Sequence, residues 1–180
     1  PFEEYYKAGK AFQILNWDQN TRYCPSCGVP TKRISDIGKK CPECRQEFYP
    51  HISPAIIVRI EKEDSILMVR AKNFRGNYYG LVAGFLEAGE TLEECVHREV
   101  WEETGLTIEN PILCGSKQFQ TKEGARYVVF FYKTDRFSGE LKSSDEGEVF
   151  WIPRTALPQY KMPDDFLDMV KVFESDNLSE

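Results

Sequence analysis

The chain has 180 residues, with 29 Asp and Glu against 23 Lys and Arg and a formal net charge of −6. That acidity excludes a general nucleic-acid coat, which needs a basic surface to displace counterions, but not a nucleotide ligand, because a divalent cation can supply positive charge locally. At 41% hydrophobic and 29% charged residues, the composition fits one ordinary domain with a small appendage.

Residues 1–22 form a lead-in segment in which Phe2, Tyr5, Tyr6, Phe12, Ile14, Leu15 and Trp17 recur at partial three-to-four spacing. This predicts a short amphipathic helix with a packing role. The first residues, PFEEYYKAGK, lack the charged start and apolar middle of a signal peptide. No apolar run reaches membrane-span length, so no membrane partner is expected.

Residues 23–50 hold two C-P-x-C pairs, Cys24/Cys27 and Cys41/Cys44, separated by thirteen residues. A two-residue gap lets both thiolates of a pair face one ion, and the intervening hairpin brings the second pair across to complete a tetrahedral zinc site. Four cysteines leave no open position for water, so the zinc is structural and staples a segment too small to fold alone. Disulfides or a redox pair are the alternatives, and a cytoplasmic, reducing setting favours metal. Lys32, Arg33, Lys39 and Lys40 raise the possibility of nucleic-acid or protein contact through this unit, against the plainer reading of a solvated surface. Cys95 and Cys114 stand outside the pattern and read as small buried residues.

Residues 51–180 alternate strand and helix signals. AIIVRI (55–60) and SILMVRA (65–71) read as a hairpin turning through EKED, NFRGNYYG as a loop, and 106–119, 126–134 and 148–153 as further strands. A last helix is expected from about Asp164 to Phe173, with Phe166, Met169, Val170 and Phe173 on its core face. A helix among strands and another closing the chain define a mixed α/β layered domain.

Between the strands lies GFLEAGETLEECVHREVWEETGL (84–106), with seven glutamates and one arginine. Thr91 and Glu94 make a capping box, and Leu92, Val96 and Val100 form the buried stripe. Glu99, Glu102 and Glu103 fall at i, i+3 and i+4 on one face, where like charges cost roughly 0.2–0.5 kcal/mol per pair. A solvated acidic face is the common reading of such a run, but free choice would intersperse lysines. A divalent cation shared with substrate phosphates turns the repulsion into binding. Gly84 and Gly89 flank the preceding turn, and Arg98 is placed to brace its acidic neighbours.

This stretch resembles the Nudix box, G-x5-E-x7-R-E-U-x-E-E-x-G-U with U aliphatic, at Gly84, Glu90, Arg98, Glu99, Val100, Glu102, Glu103, Gly105 and Leu106. The resemblance implies an α/β/α sandwich with a mixed sheet that binds Mg²⁺ or Mn²⁺ and hydrolyses a nucleoside diphosphate linked to another group. It further implies Glu99, Glu102 and Glu103 as metal ligands, Glu90 as their support, the Ala83 carbonyl as a backbone ligand and Arg98 as the residue orienting the carboxylates. A distal acid or base is expected from outside the box, at Glu148 or, second, Glu146.

The order of a cysteine ribbon, Tyr49-Pro50, Pro54 and the box is similar to the zinc-ribbon NADH pyrophosphatase branch, whose members are typically homodimers. That branch carries S-Q-P-W-P-F-P-x-S after the box, tied to dinucleotide recognition, whereas this chain reads SKQFQTKEG from Ser116 and shares only the serine. Phe119 against a base, and Lys122 or Arg126 against phosphate, are the substrate contacts expected here. NADH, related dinucleotides and ADP-linked compounds are the expected substrates, with ordinary or oxidised nucleoside triphosphates second. The non-enzymatic alternative is a nucleotide-sensing module whose ribbon binds RNA or a protein.

Overall fold

The computed structural model describes residues 2–71, 78–120, 126–143, 147–163 and 166–174. The chain divides into two compact units, residues 1–53 with 118–127, and residues 54–117 with 128–180.

In the first unit, α1 runs over Phe2–Asn20, longer than the short helix expected. Its last turn carries no basic residue of its own to meet the free carbonyls. Lys39 supplies that charge from elsewhere in the chain: its Nζ donates to the carbonyls of Asp18 (2.6 Å) and Thr21 (3.3 Å) and sits 5.4 Å from the Trp17 ring centroid. Lys39 and Trp17 are both buried, so this contact organises the end of the helix. The ribbon that follows is a three-stranded antiparallel sheet of β1 (Lys32–Ser35), β2 (Gly38–Lys40) and β3 (Glu47–Phe48).

The second unit is built on a mixed sheet. Strands contributing residues to it are β4 (Ser53–Lys62), β5 (Ser65–Ala71), β6 (Tyr79–Gly80), β7 (Val82–Phe85), β9 (Ile112–Gln120), β10 (Arg126–Thr134) and β12 (Gly147–Pro153). The order is β12-β5-β4-β10-β9, with β6 added to β5 and β7 to β4. Two short strands, β8 (Thr107–Ile108) and β11 (Phe137–Ser138), pair separately.

Alternation along β4 and β5 sorts the two faces of this sheet. Ile56, Val58, Ile60, Leu67 and Val69 join Cys95, Val96 and Val100 of α2 (Leu92–Thr104) in the main core. On the other face, Ile66, Met68 and Ile152 pack with Phe166 of α3 (Phe166–Glu174). Phe173 closes α3 edge-on to Phe131, with the Arg59 guanidinium 4.7 Å from its ring centroid. The sheet therefore lies between helices, as the box resemblance implied.

Several boundaries differ from the sequence reading for identifiable reasons. The hairpin turn is narrower than EKED, because the strands pair through Lys62↔Ser65 and Glu63 turns the chain at φ 51°. The 106–119 strand splits at Asn110, which takes φ 47° just before Pro111. Part of the expected NFRGNYYG loop is the strand β6, drawn in by pairing with β5 at Val69↔Gly80 and Arg70↔Tyr79.

Candidate active site and the cysteine cluster

The two cysteine pairs converge. Sγ atoms of Cys24, Cys27, Cys41 and Cys44 all lie within 4.8 Å of one another. Each pair sits on a similar knuckle, with Gly28 N–H donating to the Cys24 carbonyl (2.8 Å) and Arg45 N–H to the Cys41 carbonyl (3.1 Å). Both turning residues have positive φ, 71° at Gly28 and 64° at Arg45, a region that costs a non-glycine residue roughly 1–2 kcal/mol. Burial disfavours a Cys24 thiolate, yet backbone N–H groups of Cys27 and Ser26 and the adjoining thiols overcome it and draw the group down to about 7. Four gathered sulfurs fit tetrahedral zinc.

Of the four cations singled out in the ribbon, Lys39 is a buried helix cap, Arg33 pairs with Asp18, and Lys40 pairs with Glu47 at 2.9 Å. Lys32 is exposed, and of the four only Lys39 is buried, its ammonium turned inward to the end of α1. Nothing in the sequence pattern marked it as different from its neighbours.

The second centre starts at the turn before α2. Thr91 caps the helix in full, its hydroxyl accepting from Glu94 N–H (3.2 Å) while the Glu94 carboxylate accepts from Thr91 N–H (2.8 Å). Gly105, at φ 71°, ends the helix, where a Cβ would also crowd the Glu140 carbonyl at 3.1 Å. Between these caps, Arg98 is the hub of the acidic face. Its Nε and one terminal nitrogen grip Glu90 at 2.8 and 3.0 Å, and the same terminal nitrogen donates to the Phe85 carbonyl at 3.0 Å. The other terminal nitrogen is shared between Glu99 (2.8 Å) and Glu102 (3.1 Å).

This bidentate pairing is the strong form of a charge-assisted hydrogen bond. The Arg98 contact holds the Glu90 carboxyl well below the usual range, at about 2, with the Glu87 N–H assisting. Arg98 is in turn raised, foremost by Glu90. Glu103 is buried and accepts a 3.4 Å hydrogen bond from the Ala83 N–H in β7. Beside it, a Cβ on Gly84 would lie 1.8 Å from Glu99 Oε1, so any side chain there displaces that carboxylate. The first glycine of the box thus seats a carboxylate on bare backbone, which the sequence signalled as close approach without naming the visitor.

The structure therefore places Glu90, Arg98, Glu99 and Glu102 in one network and Glu103 against Ala83. It does not draw the three expected ligands together around a point: among the described residues, only the four cysteines bring three or more such ligand atoms within 4.8 Å. The box carboxylates are hard oxygen donors on one helix face, a donor set that suits Mg²⁺ or Mn²⁺ when phosphate and water complete the shell. Burial, foremost, pushes the Cys95 thiol up to about 12, consistent with a packing residue and not a nucleophile.

Glu148, in β12, faces Arg70 in β5 and forms an ion pair with it. Phe119 lies in β9 and Arg126 opens β10, but the Arg126 side chain, Lys122 and Glu146 lie outside the described residues. A pocket of about 330 Å³ adjoins the acidic helix, lined by Ala83 and Glu103 together with Ile57, Tyr79, Leu81 and Met169, among others. These walls come from β4, β6, the β6–β7 junction and α3, and sequence spacing could not have assembled them.

The site is thus a capped, glycine-entered helix of clustered carboxylates beside a pocket, set in a layered α/β fold. Residues 50–173 match the NUDIX domain family and residues 19–49 the NADH pyrophosphatase zinc ribbon domain, so the chain belongs to the Nudix family. It is 35% identical over 167 residues to the NAD-capped RNA hydrolase NudC of Chromobacterium violaceum, covering 91% of this chain and 62% of the relative. With the protein of the same name from Vibrio parahaemolyticus it shares 41% over 133 residues, 73% of this chain and 50% of that one. The chain thus spans between half and about three fifths of the length of these two relatives. Among solved structures, the MutT protein from Bacillus halodurans superimposes with a TM-score of 0.62 at 29% identity, covering 71% of this chain and 86% of that one.

Proposed function

We propose that this chain is a Mg²⁺- or Mn²⁺-dependent hydrolase of the pyrophosphate bond in nucleoside diphosphates linked to a second group, with NAD-related dinucleotides favoured as substrates. The observation that carries this reading is the Arg98-organised set of Glu90, Glu99 and Glu102, with Glu103 lining the adjoining pocket. Relatives whose name gives NAD-capped RNA as what they hydrolyse support the choice of an NAD-containing compound over a nucleoside triphosphate.

When bound, the divalent ion would lower the pKa of an attacking water and neutralise charge on the phosphoryl oxygens. Glu99, Glu102 and Glu103 are the carboxylates assigned to hold it, with the Ala83 carbonyl as the backbone contribution. Arg98 sets their positions and is itself fixed by the two-pronged grip of Glu90 and by the Phe85 carbonyl. Glu148, oriented by Arg70, is the carboxylate assigned to receive the water's proton. Zinc on the four cysteines plays a structural part, and the chain works in a reducing compartment, the cytoplasm, as a homodimer.

The test is a panel of NADH, NAD⁺, ADP-ribose and nucleoside triphosphates incubated with pure protein and Mg²⁺, with products identified by mass. Two mononucleotides from NADH would support the assignment. Release of inorganic pyrophosphate from triphosphates alone would move it to the MutT-like reading, and no turnover of any compound would leave the nucleotide-sensing module.

A further inference from the structure

Four residues beyond Ile57 on β4, about 13 Å along the strand, a second cavity opens around Glu61. Its volume, about 350 Å³, falls in the range of small-molecule sites, and among the described residues it shares no lining with the pocket beside the acidic helix. Lys133, Thr134, Asp135 and Arg136 supply one wall, from the end of β10 and the turn after it, and Asn110 belongs to another. The two turns are pinned together before any ligand arrives. The Thr134 hydroxyl donates to the Glu109 carbonyl at 2.8 Å and accepts from the Arg136 N–H at 3.1 Å, while the Glu109 N–H donates to the Arg136 carbonyl at 2.9 Å.

Charge around this cavity runs against that of the chain. Glu61 is flanked by two guanidinium groups, its Oε1 lying 2.6 Å from Arg59 Nε and its Oε2 2.8 Å from an Arg154 terminal nitrogen, so its charge is more than cancelled. Lys133 Nζ donates to the Phe173 carbonyl at 3.2 Å, a neutral acceptor that leaves the ammonium charge in place. No carboxylate pairs with Lys133 or Arg136 among the described residues. Asp135 is the other acid on the described lining, so four cations stand against two carboxylates in a chain of net charge −6. Arg59 is also buried, 4.7 Å from the Phe173 ring centroid, and its Nη1 has no acceptor among the described residues. A buried guanidinium with an unmet donor is costly until an acceptor reaches its neighbourhood.

We infer that this cavity is a second binding site, distinct from the acidic helix, which holds a small phosphate-bearing anion between Lys133 and Arg136 within the positive field of Arg59 and Arg154. A phosphate monoester carries roughly −1.5 to −2 charge at neutral pH, which matches the local excess of two cations, whereas a single carboxylate carries half as much. The Arg136 fork suits two phosphate oxygens at once, and the Lys133 ammonium acts as a point charge beside it. Recognition here uses the protein's own cations and needs no divalent ion, unlike phosphate binding at a cluster of glutamates.

The experiment is calorimetric titration of the zinc-loaded full chain with AMP, inorganic phosphate and succinate in buffer free of Mg²⁺, where the acidic helix offers phosphate no counter-charge. It is repeated on Arg136→Ala and Asp135→Asn, both at exposed positions where the fold tolerates change. AMP or phosphate should bind, and succinate, a dianion of different shape, should bind at least roughly tenfold more weakly. Arg136→Ala should weaken the bound anion by roughly tenfold or more, and Asp135→Asn should tighten it, because the two changes move the local charge in opposite directions. Tighter binding of AMP than of phosphate assigns the site to the ester, and the reverse order assigns it to the free ion. In Mg²⁺, NADH hydrolysis by Arg136→Ala should equal that of wild type; a slower rate would place Arg136 at the reaction and overturn the separation of the two sites. No binding of AMP or phosphate, equal affinity for succinate, or wild-type affinity in both variants overturns the site. The titration involves no turnover, so its outcome is independent of the hydrolase reading.

Discussion

In the ribbon, four sulfur atoms meet within 4.8 Å, whereas on α2 three carboxylates of one helix face are parted between Arg98 and the Ala83 N–H. The difference lies in what fixes the donors. A cysteine Sγ is one bond from Cβ, so a backbone knuckle dictates where it points, and the paired turns at Gly28 and Arg45 aim all four inward. A glutamate has three rotatable bonds, and its carboxylate goes to whichever cation or N–H is offered. Arg98 is that cation, held from behind by Glu90 and the Phe85 carbonyl. The cysteine cluster is thus written into backbone geometry, and the acidic face into an exchangeable network.

The contrast can be broken at either end. The largest effect is expected from the ribbon: structural zinc contributes on the order of 10–16 kcal/mol in small zinc domains. Stripping it with a strong chelator, or Cys41→Ser, should abolish hydrogen-exchange protection across Lys32–Phe48, with one zinc per chain lost by elemental analysis. Retained protection without zinc would mean that the knuckles hold themselves. At the acidic face, Gly84→Ala in β7 forces the Glu99 carboxylate off the backbone, since the new Cβ would stand 1.8 Å from its oxygen. Because the displaced group is the end of a flexible chain, turnover should fall roughly 10–100-fold while the melting temperature barely moves.

A smaller effect follows from Glu90. The Arg98 pairing holds its carboxyl down at about 2, below the ordinary glutamate value of 4.5, so this pairing stabilises the fold fully above about 4.5 and is lost as pH falls toward about 2. Acid unfolding of Glu90→Gln, followed by circular dichroism, should be flatter than wild type across that window; parallel curves would show that the pair contributes nothing. The smallest change is Thr91→Ala, which removes one half of the capping box and should cost about 1 kcal/mol in denaturant unfolding, with Thr91→Ser restoring most of it.

Much of this was legible because it is local. The capping box, the Val96 and Val100 stripe, the glycine entry and the cysteine spacing are each patterns over a few residues, and the structure contains them. What the sequence concealed is non-local. Lys39 looked like its solvated neighbours, but the carbonyls it caps belong to a helix ending nineteen positions earlier, at Asn20. Glu148 was identifiable as an acid, yet its pairing with Arg70 is set by the β5–β12 register. The pocket joins β4, β6 and α3, and β6 itself exists only because β5 offers it an edge. Periodicity reports the face an element buries, and it is silent on which remote element arrives there.

The most direct test of the account is single-turnover hydrolysis of NADH by Glu102→Gln in saturating Mg²⁺. Glu102 is half exposed and bonded only at its tip to Arg98, so the amide should leave the fold intact while removing one anionic oxygen from the acidic face. The account predicts wild-type melting and zinc content with a rate more than roughly 100-fold lower, beyond the range typical of outer-shell changes. A rate equal to wild type, with the fold and zinc unaltered, would contradict the assignment of this helix face to catalysis.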